Sequence, residues 1–378
     1  MNTLSIVLRN ITVWNPNEEP KRVDLYIKNG KIVHGFPAND RTWNIDGQTY
    51  IAMPGFVDLH IHGAMGGDVM DATQEALQAI SEALVKEGTT AFLATTMTQS
   101  PENIEKALLN ATTFTSSYSQ MIGIHLEGPF VNKLRAGAQP EQYIQNPNIE
   151  NFLKWVKISR NLIKYVTIAP ELVYDHFIEE ANRLGIIVSA GHTDATSIQL
   201  KQAQEKGLRS VTHLYNQMKP FHHREIGAIG EALLNDELYC EIITDFVHSS
   251  NEAVRFAFKN KGADRLLLIT DAMRAKGLSA GKYDLGGQQV TVDEDARLED
   301  GTLAGSILKM NIAVKNMAQL GICSPQDLVK MSSYNANRLL KREGYGEIQI
   351  GNHADIVILD DQFNVLYTIV NGEVVYQA

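Results

Sequence analysis

Several side chains in this sequence have the types and the spacing that a hydrolytic metal site needs. His60 and His62 stand two residues apart, so in an extended segment both imidazoles point to the same face and can reach one ion. Imidazole and carboxylate ligands together suit zinc, iron, cobalt or nickel, and a carboxylate can also bridge two ions. We therefore expect a divalent metal site with one or two ions. The candidate ligands are His60, His62, Glu127, His192 and His213.

Asp271 is the candidate for proton transfer. Placed over the metal, its carboxylate could take a proton from water and deliver it to a leaving amine. Two other roles stay open, since the aspartate could begin a helix as its N-cap or ligate the metal itself. A lone histidine is also more often structural than a ligand. The metal hypothesis therefore depends on all these residues reaching one place.

The middle of the chain alternates apolar runs with amphipathic stretches. The runs are residues 55–59, 90–95, 122–126, 165–168, 186–190, 210–214, 240–244 and 266–270. Residues 73–87 carry apolar side chains at helical spacing, and residues 175–184 and 197–206 each end before a glycine, a natural helix terminator. Eight buried strands alternating with helices predict an α/β fold, the (β/α)₈ or TIM barrel.

The predicted strands bring the candidate residues to one face. In this barrel the carboxyl ends of all strands meet at the face that carries the chemistry. His60 and His62 follow the first run, Glu127 directly follows the third and Asp271 follows the eighth. His192 follows the fifth run and His213 lies in the sixth.

Both chain ends are rich in short strands. Asn29-Gly30 and Asn371-Gly372 each separate two short apolar runs, which is a strong hairpin signal. We expect a small β-sandwich domain built from residues 1–52 and 346–378, with the barrel spanning residues 53–345. Two further helices, residues 306–320 and 325–342, are expected to cap or flank the barrel.

Composition excludes several classes of protein. The formal net charge is −10, which argues against a general nucleic-acid surface. No run approaches the length of about 18 apolar residues needed to span a membrane. The two cysteines are far apart in sequence and the first residues do not read as a secretion signal, so we expect a cytoplasmic protein without disulfides.

Longer motifs identify a resemblance. Residues 125–130 read HLEGPF, residues 191–195 read GHTDA, residues 212–216 read THLYN and residues 301–306 read GTLAGS. With PGFVDLH at residues 54–60, they resemble the N-acetylglucosamine-6-phosphate deacetylases of the amidohydrolase superfamily, from about residue 20 to the C-terminus. The resemblance implies a barrel with a small β-sandwich, a homodimer, and hydrolysis of an amino-sugar 6-phosphate to acetate and the free amine.

The resemblance also implies roles for single residues. Glu127, His192 and His213 match metal ligands, and Asp271 matches the acid/base. The matching substrate-binding residues are Gln139, Asn216, Gln217, Arg224, His248 and Leu303. Arg224 matches a phosphate-binding arginine that acts across the dimer, and Gln139 stands where some members have histidine. Some members lack the first histidine pair and use one metal, so the presence of His60 and His62 leaves a two-metal site open.

Rival functions remain at this point. One is another amidohydrolase reaction: deacetylation of a galactosamine-type or mannosamine-type sugar phosphate, cyclic-amide opening, deamination or dipeptide cleavage. The other is a descendant that keeps the barrel for binding alone. Such a protein should have lost ligands or the aspartate, and none is missing here.

Overall fold

The computed structural model describes residues 5–36 and 42–378. Its strands are β1 (Ser5–Asn15), β2 (Glu18–Lys28), β3 (Lys31–Val33), β4 (Thr42–Asp46), β5 (Ile51–Pro54), β6 (Phe56–Ile61), β7 (Gly63–Ala64), β8 (Gly67–Asp68), β9 (Thr89–Thr96), β10 (Gln120–Glu127), β11 (Ile163–Ile168), β12 (Ile187–Ala190), β13 (Ser210–Val211), β14 (Tyr239–Ile242), β15 (Leu266–Leu268), β16 (Gly281–Leu285), β17 (Gln288–Val292), β18 (Ala296–Arg297), β19 (Ile356–Leu359), β20 (Val365–Val370) and β21 (Glu373–Gln377).

The α-helices are α1 (Gln74–Val85), α2 (Pro101–Ala111), α3 (Ile149–Ile158), α4 (Phe177–Arg183), α5 (Ser197–Glu205), α6 (Gly227–Leu234), α7 (Asn251–Lys261), α8 (Met310–Gln319), α9 (Pro325–Val329) and α10 (Asn335–Leu339). Short 3₁₀ turns cover Val69–Asp71, Lys133–Arg135, Glu141–Tyr143 and Pro170–Leu172, and a π-helical segment covers Lys330–Tyr334. None of the helices within the described residues has the length and apolar character to cross a bilayer.

A parallel sheet forms the centre of the molecule. Within the described residues it contains eight strands in the order β6-β9-β10-β11-β12-β13-β14-β15. Hydrogen bonds close the circle between strand β6 and the chain after β15: Asp271 N donates to His60 O at 2.8 Å, and His62 N donates to Ala272 O at 2.9 Å. The predicted (β/α)₈ barrel is therefore confirmed.

The strands and helices follow from simple patterns. Every residue of β6 and β9 is buried, as expected when helices cover one face of a strand and barrel side chains fill the other. Helix α1 begins where the Thr73 side chain accepts a hydrogen bond from Ala76 N, and it buries Leu77, Ile80 and Leu84 along one stripe. Such stripes attach the outer helices to the barrel.

The two chain ends share a second sheet. Strand β1 pairs with β2, β4 and β5, and β5 continues through β19 and β20 to β21. This sheet has an apolar core of its own, which includes Ile6, Leu8, Ile27, Ile356 and Ile358. A β unit made from both termini is thus confirmed, while the boundaries at residues 52/53 and 345/346 remain a prediction. Residues 1–4 and 37–41 of the expected domain lie outside the described residues.

One element was not expected. Strands β16, β17 and β18 form a small antiparallel sheet that follows barrel strand β15. Leu285, Val290 and Val292 bury its inner face against Met97 and Met273 beside the carboxyl ends of the barrel strands. The helix predicted over residues 325–342 is also different, because the π-helical segment Lys330–Tyr334 separates α9 from α10.

Candidate active site

The candidate residues are aimed into the barrel mouth by an unusual backbone. His192, His213 and Asp271 have positive φ angles of 46°, 31° and 48°, a region that residues other than glycine rarely occupy. Each follows a barrel strand or its extension, so the chain turns sharply where the strand ends. Such conformations typically cost about 1–3 kcal/mol each and cluster at functional sites. The fold therefore holds these side chains in place against a local preference.

Glu127 stands at the centre of four imidazoles. Its Oε1 lies 3.2 Å from Nε2 of His213, 3.3 Å from that of His192 and 3.5 Å from that of His60. Its Oε2 lies 3.2 Å from Nε2 of His62. The carboxylate thus connects two histidine pairs, an arrangement that suits a ligand shared by two sites.

The two histidine pairs are close but distinct. The Nε2 atoms of His60 and His62 are 3.3 Å apart, and those of His192 and His213 are 3.1 Å apart. Asp271 Oδ1 lies 3.3 Å from Nε2 of both His60 and His62, so it belongs to the first pair. The side chains predicted as ligands and the predicted acid/base therefore meet in one place.

The outer nitrogens of two imidazoles face main-chain carbonyl groups, and these contacts fix the orientation of each ring. His62 Nδ1 lies 3.2 Å from the carbonyl oxygen of Thr95, and His192 Nδ1 lies 2.8 Å from that of Arg135. A carbonyl only accepts, so each Nδ1 donates its hydrogen to that carbonyl, and Nε2 is left as the nitrogen that faces Glu127 and could bind a metal. Metal-binding histidines are held in this way, and the donor set fits a divalent ion.

Charge is concentrated in this buried cluster. Burial alone would raise the pKa of Glu127, but His60 and the hydrogen bonds from His192 and His213 outweigh it and lower that pKa well below its usual range. The carboxylate is therefore held ionised, as a metal ligand must be.

A cavity of about 270 Å³ opens above the cluster. It is lined by His62, Met97, Glu127, Ala138, Gln139, His192, His213, Asn216, Gln217, His248, Asp271, Leu285, Thr302, Leu303 and Gly305. The candidate substrate residues Asn216, Gln217, His248 and Leu303 thus face the same space as the metal candidates.

Two of these lining residues have partners that define their orientation. Gln139 donates from Nε2 to Glu127 Oε2 at 2.9 Å and accepts at Oε1 from Thr98 N at 2.9 Å. His248 Nδ1 lies 2.7 Å from Asp245 Oδ2. Burial lowers the pKa of His248, but the Asp245 carboxylate outweighs it and the net shift is upward.

Among the candidate substrate-binding residues, Arg224 is the one that does not line this cavity. It lies exposed in a turn between His222 and Glu225, and its Nη1 is 2.8 Å from Nε2 of His223. A role for Arg224 across a dimer interface stays a prediction.

Sequence reasoning missed several residues of this site. Met97, Leu285 and Thr302 line the cavity, and Glu241 contacts His60 from below. Glu241 had a usable signal, since a glutamate inside an apolar strand is rarely buried without a partner. Met97 had none, because its position depends on the packing of the β16–β18 sheet.

Comparison with known proteins identifies the family of this chain. The model of the amidohydrolase family matches residues 51–375. The N-acetylglucosamine-6-phosphate deacetylase of Lysinibacillus sphaericus is 45% identical, with 99% of each chain aligned. The crystal structure of the Thermotoga maritima N-acetylglucosamine-6-phosphate deacetylase superimposes with a TM-score of 0.87 at 36% identity, covering 98% of this chain and all of that one.

Another similar solved structure contains a bound ligand. It is an aspartate-to-alanine mutant of the Mycobacterium smegmatis deacetylase in complex with N-acetyl-D-glucosamine-6-phosphate. It superimposes with a TM-score of 0.91 at 28% identity and covers 99% of both chains.

Proposed function

This chain belongs to the amidohydrolase family and, within it, to the N-acetylglucosamine-6-phosphate deacetylases, and on that premise we propose how its site works. The enzyme hydrolyses the acetyl group of N-acetylglucosamine 6-phosphate and yields glucosamine 6-phosphate and acetate. A divalent metal is its cofactor. We propose that His60, His62, Glu127, His192 and His213 hold the metal and that Asp271 is the acid/base.

One observation carries the assignment of residues. Glu127 lies within 3.5 Å of the Nε2 atoms of all four histidines, and Asp271 adjoins the first pair at the floor of the cavity. An ion can bind Glu127 with His192 and His213, and a second can bind Glu127 with His60 and His62. We propose that both positions can be filled, because both have three donors and buried surroundings.

The reaction needs help at two atoms, because an amide is a poor electrophile and an amine a poor leaving group. When bound, a divalent ion polarises the amide carbonyl and brings the pKa of water to around 7. The side chains of the protein carry out the proton transfer. Asp271 accepts a proton from the attacking water and delivers it to the amide nitrogen as the C–N bond breaks.

The residues that line the cavity orient the substrate. His248 is held by Asp245 at 2.7 Å, so its Nε2 can present one fixed contact to the sugar or to the developing oxyanion. Asn216 and Gln217 add amide groups for the sugar. Because Gln139 is already bonded to Glu127 and Thr98, we propose that it orients the metal ligand as well as touching substrate.

The phosphate group needs a cation that the described cavity does not supply. No lysine or arginine is among the described residues that line it. An exposed Arg224 from a second copy of the chain would provide the bidentate guanidinium that phosphate binds well. We therefore propose a homodimer in which Arg224 completes the partner's site. We further propose a cytoplasmic location, since Cys240 and Cys323 are both free.

The test is acetate release by the metal-loaded protein. N-acetylglucosamine 6-phosphate is compared with the unphosphorylated sugar and with N-acetylgalactosamine 6-phosphate, which addresses the rival substrate. Asp271→Asn should lower kcat by about 10²- to 10⁴-fold while the protein stays folded. Asp361→Asn, a change at an exposed aspartate, is the matched control and should leave kcat unchanged. Metal-loaded protein that releases no acetate from the glucosamine substrate would refute the proposal.

A further inference from the structure

Glu241 contacts His60 of the candidate metal site and takes no part in the proposed reaction. It belongs to barrel strand β14 and is fully buried, with none of its surface exposed. A carboxylate is rarely buried in this way unless it is paired, because the charged form loses its hydration. The buried carboxylate of Glu241 must therefore have specific partners.

One oxygen of Glu241 makes two contacts, and both lead to the histidine pairs. Oε2 lies 3.1 Å from Nδ1 of His60 and accepts a hydrogen bond from the main-chain N of His213 at 3.2 Å. The carbonyl oxygen of Glu241 accepts from Leu214 N at 2.8 Å. One residue on β14 thus holds a side chain of the first pair and the backbone of the second.

The outer ring nitrogen of His60 has a different kind of partner from those of His62 and His192. The outer nitrogens of His62 and His192 meet main-chain carbonyl groups, whereas that of His60 meets a carboxylate. A carboxylate behind an imidazole fixes the ring orientation and makes the opposite nitrogen a stronger ligand. His60 is therefore the imidazole whose binding strength depends on a charge elsewhere in the barrel.

The ring of His60 is fixed from a second direction by His125. The two ring centroids are 4.6 Å apart in an edge-to-face arrangement. His125 itself is committed, because Nδ1 lies 3.1 Å from Leu59 O and Nε2 lies 2.7 Å from Thr167 Oγ1. Both ring nitrogens of His125 are therefore engaged in hydrogen bonds, and its ring supports that of His60.

We propose that Glu241 is a positioning residue for the metal site, acting through His60. It spans from strand β14 to strand β6 across β15, and so ties the first histidine pair to the second. This inference rests on the proposed function of His60 as a ligand. Its consequence is selective: loss of the Glu241 charge weakens the ion held by His60 and His62 and spares the ion held by His192 and His213.

The experiment measures metal binding directly, so it does not depend on acetate release. Metal-free protein is titrated with Co²⁺ and followed by visible absorption, which reports the ligand environment of each ion. The His60→Asn variant identifies which of the two Co²⁺ signals belongs to the position held by His60, because that signal should be lost. In Glu241→Gln the affinity at that position should fall about 10- to 100-fold, with the other ion unchanged.

A double variant separates positioning from general damage. If Glu241 acts through His60, adding Glu241→Gln to His60→Asn should cause no further loss of Co²⁺ affinity. The matched control is Glu87→Gln, since Glu87 is also buried and pairs with Lys276 Nζ at 2.7 Å without touching a histidine. That control should lower the stability but keep the Co²⁺ titration and spectrum of the unaltered protein.

Several results would overturn the inference. Folded Glu241→Gln could bind Co²⁺ as tightly as the unaltered protein, or could bind both ions more weakly to the same extent. Adding Glu241→Gln to His60→Asn could reduce the Co²⁺ affinity further. Finally, His60→Asn could leave the Co²⁺ titration of the protein unchanged. Should Glu241→Gln not fold, Glu241→Asp is the second variant: it keeps a carboxylate, but its shorter side chain withdraws the oxygen from His60 Nδ1, so Co²⁺ affinity at the His60 position should again fall. Protein that binds Co²⁺ as expected but releases no acetate would refute the enzymatic proposal alone.

Discussion

Asp355 makes the stability of this protein depend on pH. It lies just before β19, and its carboxylate accepts hydrogen bonds from Asn371 N at 2.7 Å and from Gln120 Nε2 at 2.9 Å. Gln120 begins barrel strand β10, so the group lies where the terminal sheet meets the barrel. Burial raises its pKa from 3.8 to about 6, although Asn371, Arg342 and Gln120 all oppose the shift.

The sign of the effect follows from which state holds the proton more tightly. The folded protein retains the Asp355 proton up to a pH of about 6, whereas the unfolded chain releases it near 3.8. The favourable contribution is therefore complete below 3.8 and is lost as the pH rises through about 6. The difference corresponds to about 3 kcal/mol at neutral pH, and to about half of that at pH 5.

Asp355→Asn should remove the free-energy cost of ionising this buried carboxyl group at neutral pH, while the hydrogen bonds to Asn371 and Gln120 are kept. The asparagine oxygen can accept from Asn371 N, and the Gln120 amide can rotate to accept from the new NH₂. We expect the variant to be more stable than the unaltered protein by about 3 kcal/mol at pH 7.5 and by less at pH 5. Urea unfolding at both pH values measures this difference; it is followed by tryptophan fluorescence, to which Trp14 and Trp43 of the terminal sheet and Trp155 of α3 contribute.

Asp361→Asn serves as the control, because Asp361 is exposed and close in sequence. It should change stability little and equally at both pH values. If Asp355→Asn is less stable than the unaltered protein at pH 7.5, or if its advantage does not depend on pH, the burial argument is wrong.

Three further predictions concern the site. Removal of divalent metal with a chelator should abolish acetate release, and adding back Zn²⁺ or Co²⁺ should restore it; activity that survives complete metal removal would contradict the assigned chemistry. Arg224→Ala and Asp271→Asn subunits should each be nearly inactive alone, but random mixing should restore about a quarter of the active sites, because each heterodimer assembles one intact site. No recovery in confirmed heterodimers would place Arg224 outside the partner's site. His125→Asn should lower stability by about 1–3 kcal/mol through lost buried hydrogen bonds while the metal content stays unchanged, and a lost ion would show that His125 is a ligand.

Much of the barrel could be predicted because its signals are local. A strand buried on both faces appears as a continuous apolar run, and the predicted run at residues 90–95 matches β9 (Thr89–Thr96). Agreement is poorer for residues 210–214, where β13 covers only Ser210–Val211. The chain leaves the sheet early there because His213 adopts a left-handed backbone, which an apolar pattern does not reveal.

Other features depend on contacts between distant parts of the chain. Gly286-Gly287 between two alternating runs was a readable hairpin signal for β16 and β17, but nothing local showed that this hairpin would place Leu285 in the cavity wall. The π-helical segment Lys330–Tyr334 likewise interrupts a stretch whose periodicity predicts one helix.

The sequence by itself determined the residue types of the site, the strands that carry them and the face where they meet, because strand polarity and two-residue alternation are properties of short segments. Only the tertiary structure decided which atoms meet: that Glu127 stands between two histidine pairs, that Asp271 adjoins the first pair, and that Glu241 holds His60. These contacts join residues up to 211 positions apart, from His60 to Asp271. Their distances are set by barrel closure and by side-chain packing, and no local pattern encodes either.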